Sequence, residues 1–427
     1  MKTNRILILL SLLLLVIASC SDNEPSNKID TLEKSTKRTV LIYMAAANSL
    51  GGLGSNRFDI SDLNEMRTGL KSVAEKDLDN ANVLVYYEGG RGDFYVDKND
   101  SLVATGNIRM RPKLYRLVKN PKNGKGEFFE IKDYPIQSST DPEVMKKVLI
   151  DAYSAYPSAS YGLVMWSHAD GWLEGTPGAS SRWIGEDIYD GVSHKMDILD
   201  FKKALSGAPY LDFIFYDLCL MQTAEVAYEL KDEATYSLGS PAEIPGPGSP
   251  YDKMIPIYFQ TNRWIVNDLA NAYYSYYAKT YTGTSFGNNP WRGGVSISIF
   301  DLSSMRRFGD ATLRLLEQRE VPYTDLVSSS DVFFYDPRRD GKYYYTDVID
   351  VLKKSGVAQS PDWTAAFNRL VTYYKTTDTN YSGVTGKDFS MKGSNGISMY
   401  IPRKSDRYYT ENEYYKKLAW AKLMMGY

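Results

Sequence analysis

Two short segments decide how this chain is read: Leu163-Val164-Met165-Trp166-Ser167-His168-Ala169-Asp170-Gly171-Trp172 and Phe213-Ile214-Phe215-Tyr216-Asp217-Leu218-Cys219-Leu220-Met221. In each, an unbroken apolar run leads into polar residues. Runs that lack polar alternation and are rich in Val, Ile and aromatics fit strands covered on both faces, as in a parallel sheet between helices. His168 follows the first run and Cys219 the second. The interval between them accommodates one crossover with an excursion. If the two strands are parallel neighbours, both side chains emerge at one edge of the sheet, where open α/β sheets carry their crevices.

Working outward, Thr39–Ala45, Asn82–Tyr87, Val295–Phe300 and Gly396–Ile401 also read as buried strands. Helical patterns lie between them. Asp141–Tyr153 opens Asp-Pro-Glu, an N-cap followed by proline at the first helical position. Thr223–Glu229, Ile265–Tyr281 and Ser303–Glu317 are further helices. Strands alternating with helices predict an α/β fold with a largely parallel sheet. Gly171–Gly191 and Gly239–Pro250 are rich in Gly, Ser and Pro and read as loops. The expected organisation is a core over residues 38–317, with residues 318–427 packed on the same body.

Composition narrows the function. Lys and Arg number 50 against 52 Asp and Glu, so no basic excess drives nucleic-acid binding. No apolar stretch reaches the ~18 residues of a membrane-spanning helix. With two Cys and two His, neither a disulfide framework nor a Cys/His zinc cluster is expected. Thiol–imidazole chemistry therefore has few possible actors. His194, in Gly191-Val192-Ser193-His194-Lys195, reads as a solvated loop residue.

The N-terminus reads as an address. Lys2 and Arg5 precede the apolar run Ile6–Ala18, which is too short for a bilayer and fits the centre of a signal peptide. It ends Val16-Ile17-Ala18-Ser19-Cys20, which resembles the lipobox of bacterial lipoproteins. That resemblance implies loss of residues 1–19, lipidation of Cys20 and a polar, flexible tether over residues 20–37. Ser21-Asp22-Asn23-Glu24 resembles the surface-export signals of some Gram-negative lipoproteins. The expected location is the cell envelope, reached by export and held by a lipid anchor, with the outer-membrane surface indicated by that acidic stretch. Cys219 would then be the one thiol left in the mature chain.

A thiol with pKa near 8.5 is only partly ionised at neutral pH. A neighbouring imidazole favours its thiolate and can protonate a leaving amine. A helix beginning at Met221 would add its N-terminal dipole.

Together with Thr39–Ala47, Asp62–Met66, Tyr216–Leu230 and Gly396–Arg403, the two segments resemble the clostripain-like cysteine peptidases, in the clan of caspases, legumains and gingipains. The most specific part is Asp217-Leu218-Cys219-Leu220-Met221 with Glu225-Val226-Ala227-Tyr228-Glu229-Leu230. The resemblance implies a caspase-like α/β fold, its mostly parallel sheet flanked by helices on both faces. It implies His168 as general acid/base, Cys219 as nucleophile, and the amides of Cys219 and Ala169 as oxyanion donors. Asp217 would line the primary pocket and meet a substrate Arg or Lys. The implied partner is a peptide or protein substrate. The chemistry needs no cofactor; some relatives use calcium, and no calcium-loop pattern is present. Relatives often cut their own chain between the His and the Cys, and here Arg182 and Lys195 are the candidate positions.

Three positions depart from the family pattern. Ala169 stands where Gly is usual and would be strained at positive φ. Ala46-Ala47-Asn48 replaces Ala-Asp-Asn. Gly248-Ser249-Pro250-Tyr251 replaces Gly-Trp-Asp-Tyr, removing an acid for which Glu243 would have to compensate. Asp217 also has a second reading, as a helix cap or loop anchor. The rival function is a non-catalytic surface lipoprotein of the same fold that binds peptide or glycan. Tyr273-Tyr274-Ser275-Tyr276-Tyr277 would offer stacking faces, although that spacing also suits a core face.

Overall fold

The computed structural model describes residues 37–90, 94–104, 106, 110–173, 184–261, 265–284, 290–327, 331–338 and 341–426. The leader, Cys20 and Arg182 lie outside the described residues. The described residues all fall within one compact unit.

Among the described residues, nine strands form the main sheet: β1 (Arg38–Ala45), β2 (Ala81–Glu88), β3 (Lys113–Lys119), β4 (Gly126–Asp133), β5 (Tyr161–Trp166), β6 (Leu211–Asp217), β7 (Ala234–Gly239), β8 (Ser296–Asp301) and β9 (Val371–Thr376). Their order is β9-β8-β7-β6-β5-β1-β2-β3-β4. The central strands β7, β6, β5, β1 and β2 pair in parallel. An antiparallel pair closes each edge. Only β3 and β8 run against the common direction, so the sheet is mostly parallel.

Alternate strand residues point to opposite faces. Leu41, Tyr43, Leu163, Met165, Ile214 and Tyr216 share a core with α2 (Pro142–Ala155), α3 (Ile198–Leu205), α4 (Ala224–Leu230) and α7 (Met305–Gln318). Val40, Ile42, Met44, Val164, Trp166, Phe213 and Phe215 share the other with α1 (Phe58–Leu70), α5 (Tyr251–Tyr258) and α6 (Ile265–Thr280). Two-sided burial explains the unbroken apolar runs. Truncating one such residue, for example Leu163→Ala, would destabilise by about 2–5 kcal/mol. Asp141 caps α2 as its sequence predicts, accepting from the amides of Glu143 and Val144 at 2.8 and 3.2 Å.

Two sequence expectations need correction. Gly396–Ile401 is buried, but only Ser398–Met399 is strand, and it pairs with Thr346–Asp347 outside the main sheet. Its amides are used elsewhere: Ser398 N–H donates to Gln222 O and Tyr400 N–H to the Glu225 carboxylate. An apolar run reports burial, not sheet membership. Within Gly171–Gly191, Ile184–Tyr189 is a strand that pairs with Val192–Met196 as a hairpin. Asp190 and Gly191 both take positive φ at its tip, the conformation an Asp-Gly dipeptide favours in tight hairpins.

Among the described residues, no helix is long and apolar enough to cross a membrane.

Candidate active site

In the sheet register Trp166 lies opposite both Met44 of β1 and Asp217 of β6. The chain leaves β5 toward His168, β6 toward Cys219 and β1 toward Ser49 along one edge. His168 and Cys219, both half-buried, line a single cleft of about 330 Å³ together with Ser49, Trp166, Asp217, Glu243, Gly248 and Trp291. The expectation that neighbouring parallel strands bring imidazole and thiol to one edge holds.

Asn48 builds the histidine side of the cleft. It is fully buried, and its Nδ2 donates to Ala45 O, Ser167 Oγ and Glu186 O at 2.8, 3.1 and 3.0 Å. Its Oδ1 accepts from Leu50 N–H at 2.9 Å. One side chain thus ties the exits of β1 and β5 to the hairpin. The hairpin adds Gly185 N–H to His168 O and Ile188 N–H to Ala47 O. Ser49 Oγ lies 2.8 Å from His168 Nε2. In the sequence Asn48 stands only within a departed pattern, and nothing there singles out Ser49. The available signal was their position directly after an apolar strand. Burial holds the His168 imidazolium pKa below its ordinary value; Glu186 opposes this and Lys195 reinforces it.

On the cysteine side, Ile244 N–H points at Cys219 Sγ at 3.4 Å. Burial pushes the thiol up, Glu243 adds to the rise, and the Ile244 amide partly offsets it. Both shifts favour the uncharged forms of the thiol and the imidazole. The expected helix dipole at Cys219 is not found. Helix α4 starts at Ala224, where Thr223 Oγ1 accepts from Val226 N–H at 3.1 Å. Cys219 and Leu220 form a turn, with Leu220 at φ 62°, and Thr223 bridges to Ser398 before the helix begins.

Because Thr223 is the cap, Asp217 is not. Asp217 Oδ2 accepts from Ser249 N–H and Tyr251 O–H, both at 3.0 Å, and so anchors the turn that contains Pro250. Its Oδ1 is buried without a hydrogen-bond partner. Burial pushes Asp217 up to about 6, against the lowering effect of the Ser249 and Tyr251 bonds. Gly248, at φ 75°, lies over the carboxylate: a Cβ there would sit 3.1 Å from Asp217 Oδ2 and 3.5 Å from Asp62 Oδ2. Asp62 accepts from Trp166 Nε1–H at 2.6 Å. Pro250 supplies no acid, but Glu243 reaches the same cleft, with Oε2 accepting from Gly383 N–H at 2.8 Å and Oε1 buried and unpartnered.

Ala169 keeps a negative φ, and the positive φ of its turn falls on Gly171. The anticipated strain at alanine is therefore absent. Lys195 and His194 belong to the hairpin rather than to a loop, opposite Glu186 and Asp187, and His194 packs against the Tyr189 ring. Tyr273 and Tyr277 are core residues. Among the described residues, no group of three or more His, Cys, Asp or Glu side chains is arranged to hold a metal ion.

Residues 42–425 match the model of the Clostripain family. Clostripain of Hathewaya histolytica is 25% identical over 426 residues, covering 89% of this chain and 78% of that protein. A secreted C11 cysteine protease from Bacteroides thetaiotaomicron, solved with an irreversible peptide inhibitor, superposes with a TM-score of 0.75 at 35% identity, covering 91% of this chain and 98% of the other. An inactive zymogen C11 protease from Parabacteroides distasonis gives 0.70 at 25% identity, covering 92% and 99%.

Proposed function

The chain belongs to the clostripain family and is a cysteine endopeptidase, and from that premise we propose that Cys219 is its nucleophile and His168 its acid–base partner. The observation that carries this reading is their common cleft at the ends of adjacent parallel strands.

An uncharged pair suits a proton transfer coupled to attack. As Sγ approaches the scissile carbonyl carbon, the thiol proton passes to His168. The carbonyl becomes an oxyanion held by the amides of Cys219 and Ala169. The His168 imidazolium then gives its proton to the leaving amine as the C–N bond breaks. His168 next takes a proton from water, whose oxygen attacks the thioester. The acid is released, and the proton returns to Cys219. None of these steps needs a metal or cofactor.

Asp217 is the charge that would receive a substrate Arg or Lys before the scissile bond, with Glu243 as a second carboxylate in place of the acid missing at Pro250. The anchor at Cys20 and delivery to the cell envelope rest on the lipobox resemblance, and the secreted Bacteroides relative is consistent with export. Self-cleavage would fall at Arg182 or Lys195. Of the two, Lys195 pairs with Glu186 across the hairpin, so cutting there requires the hairpin to open.

The test is hydrolysis of a fluorogenic Arg peptide by wild type, Cys219→Ala and His168→Ala. Turnover near the wild-type rate in either variant, with contaminants excluded, would overturn the assignment.

A further inference from the structure

Granting the dyad above, the two turns that carry it must be held at a fixed separation, and part of what holds them comes from the C-terminal third. Asp170, two residues beyond His168, is 5% exposed. Arg338 Nη2 lies 2.8 Å from each of its carboxylate oxygens. The Tyr345 hydroxyl donates to Asp170 Oδ1 at 2.9 Å and also to the Asp170 carbonyl. Arg338 is itself constrained, since its Nε bonds buried Asp336 and its guanidinium lies 4.9 Å from the centre of the Tyr344 ring.

The next residue connects this grip to the cysteine. Gly171, at φ 59°, has no room for a side chain: a Cβ would fall 2.7 Å from Leu220 O and 2.8 Å from Tyr345 Cε1. Leu220 directly follows Cys219. It holds a left-handed φ that is unfavourable for a bulky residue, and its N–H is bonded to Ala242 O. The histidine turn and the cysteine turn therefore meet at Gly171 and Leu220, with Tyr345 wedged against them. A buried ion pair adds little net stability over an apolar substitute, yet fixes geometry when both partners are present.

We propose that Arg338 and Tyr345 are positioning residues for peptide hydrolysis: by gripping Asp170 they hold the His168 turn against the Cys219 turn. The reacting groups must sit within fractions of an ångström of productive geometry, and a ~1 Å misplacement costs roughly 100-fold in rate.

The experiment uses the full chain. Tyr345→Phe removes one hydroxyl and keeps the ring behind Gly171. Arg338→Lys keeps the charge without the fork, and Arg338→Met breaks the pair. Three quantities are measured: kcat and KM on a fluorogenic peptide, the folded fraction, and the pH dependence of Cys219 alkylation by iodoacetamide. The expected result is kcat down about tenfold in Tyr345→Phe and about 100-fold in Arg338→Met, with partial recovery in Arg338→Lys and KM within about twofold. The alkylation profile should move toward that of His168→Ala, a change that loss of stability alone does not produce. If Cys219→Ala is inactive while folded Tyr345→Phe and Arg338→Lys keep wild-type kcat and alkylation profiles, the clamp is wrong and the dyad stands. A fall in rate that merely tracks the folded fraction also overturns the clamp. Hydrolysis by Cys219→Ala would remove the dyad, and the clamp with it.

Discussion

Replacing Asp217 by Asn should make the protein more stable and a worse peptidase for basic substrates. The carboxyl is buried with one oxygen unpartnered, and its pKa rises from 3.8 to about 6 on folding. A folded-state pKa above the unfolded value means that the native state binds the proton more tightly. Stability from this group is therefore present below the unfolded pKa and is lost as pH rises through about 6. At pH 7 the ionised group costs about 3 kcal/mol, from roughly two pKa units at about 1.4 kcal/mol each. Asn removes that charge and keeps an oxygen for Ser249 N–H and Tyr251 O–H. Denaturant midpoints should rise for Asp217→Asn at pH 7, and the difference from wild type should shrink toward pH 4.

Activity should move the other way. A cationic side chain seated on the Asp217 carboxylate is worth about 2 kcal/mol or more, so kcat/KM for Arg or Lys peptides should drop at least ~30-fold. Peptides with a neutral residue before the scissile bond should change by only a few-fold. In wild type, the proposed preference for Arg should weaken as pH falls below about 6, where Asp217 takes up a proton. Two assays decide: urea unfolding across pH, and kcat/KM on paired Arg and neutral substrates. An Asn variant that is less stable at pH 7, or that loses Arg and neutral substrates equally, would refute the reasoning.

His194→Ala should retain wild-type turnover while His168→Ala loses it, since only His168 lines the cleft with Cys219; reversed behaviour of the two would contradict the site. Asn48→Ala removes the acceptor of Leu50 N–H and one donor from each of the Ala45 and Glu186 carbonyls and should lower unfolding free energy by about 1–3 kcal/mol, read by denaturant titration, with a fall in kcat larger than the change in KM. Cys20→Ala should give unprocessed or mislocalised protein in membrane fractionation, and a mature N-terminus at any residue other than Cys20 would count against lipidation. Incubated precursor should produce a new N-terminus after Arg182 that is absent from Cys219→Ala; the same fragments from both forms would show that another protease makes the cut.

What could be read from the sequence follows from how far each feature depends on distant partners. His168 and Cys219 were visible because each lies just beyond an apolar run whose two-sided burial is written into its composition. Parallel pairing of β5 and β6 then brings them together with no further information. The hairpin with its tip at Asp190-Gly191 was missed: the Gly- and Ser-rich surroundings read as a loop, although an Asp-Gly dipeptide suits a tight hairpin turn. Asn48 and Arg338 are different. An Asn after a strand or an Arg in a Tyr-rich segment has no local pattern that names its partner. Asn48 matters because β1 and β5 end side by side, and Arg338 because a segment far along the chain folds back onto Asp170. Asp217 stands between these cases. Its place two residues before Cys219 was legible, but its burial under Gly248 and its bond to Tyr251 were not. Those contacts, rather than its identity as an acid, set its proton affinity. On the proposed role of Asp217, substrate preference would depend on the turn through Pro250 as much as on the carboxylate itself. A substitution there that frees Ser249 N–H from Asp217 would alter charge recognition without touching the dyad.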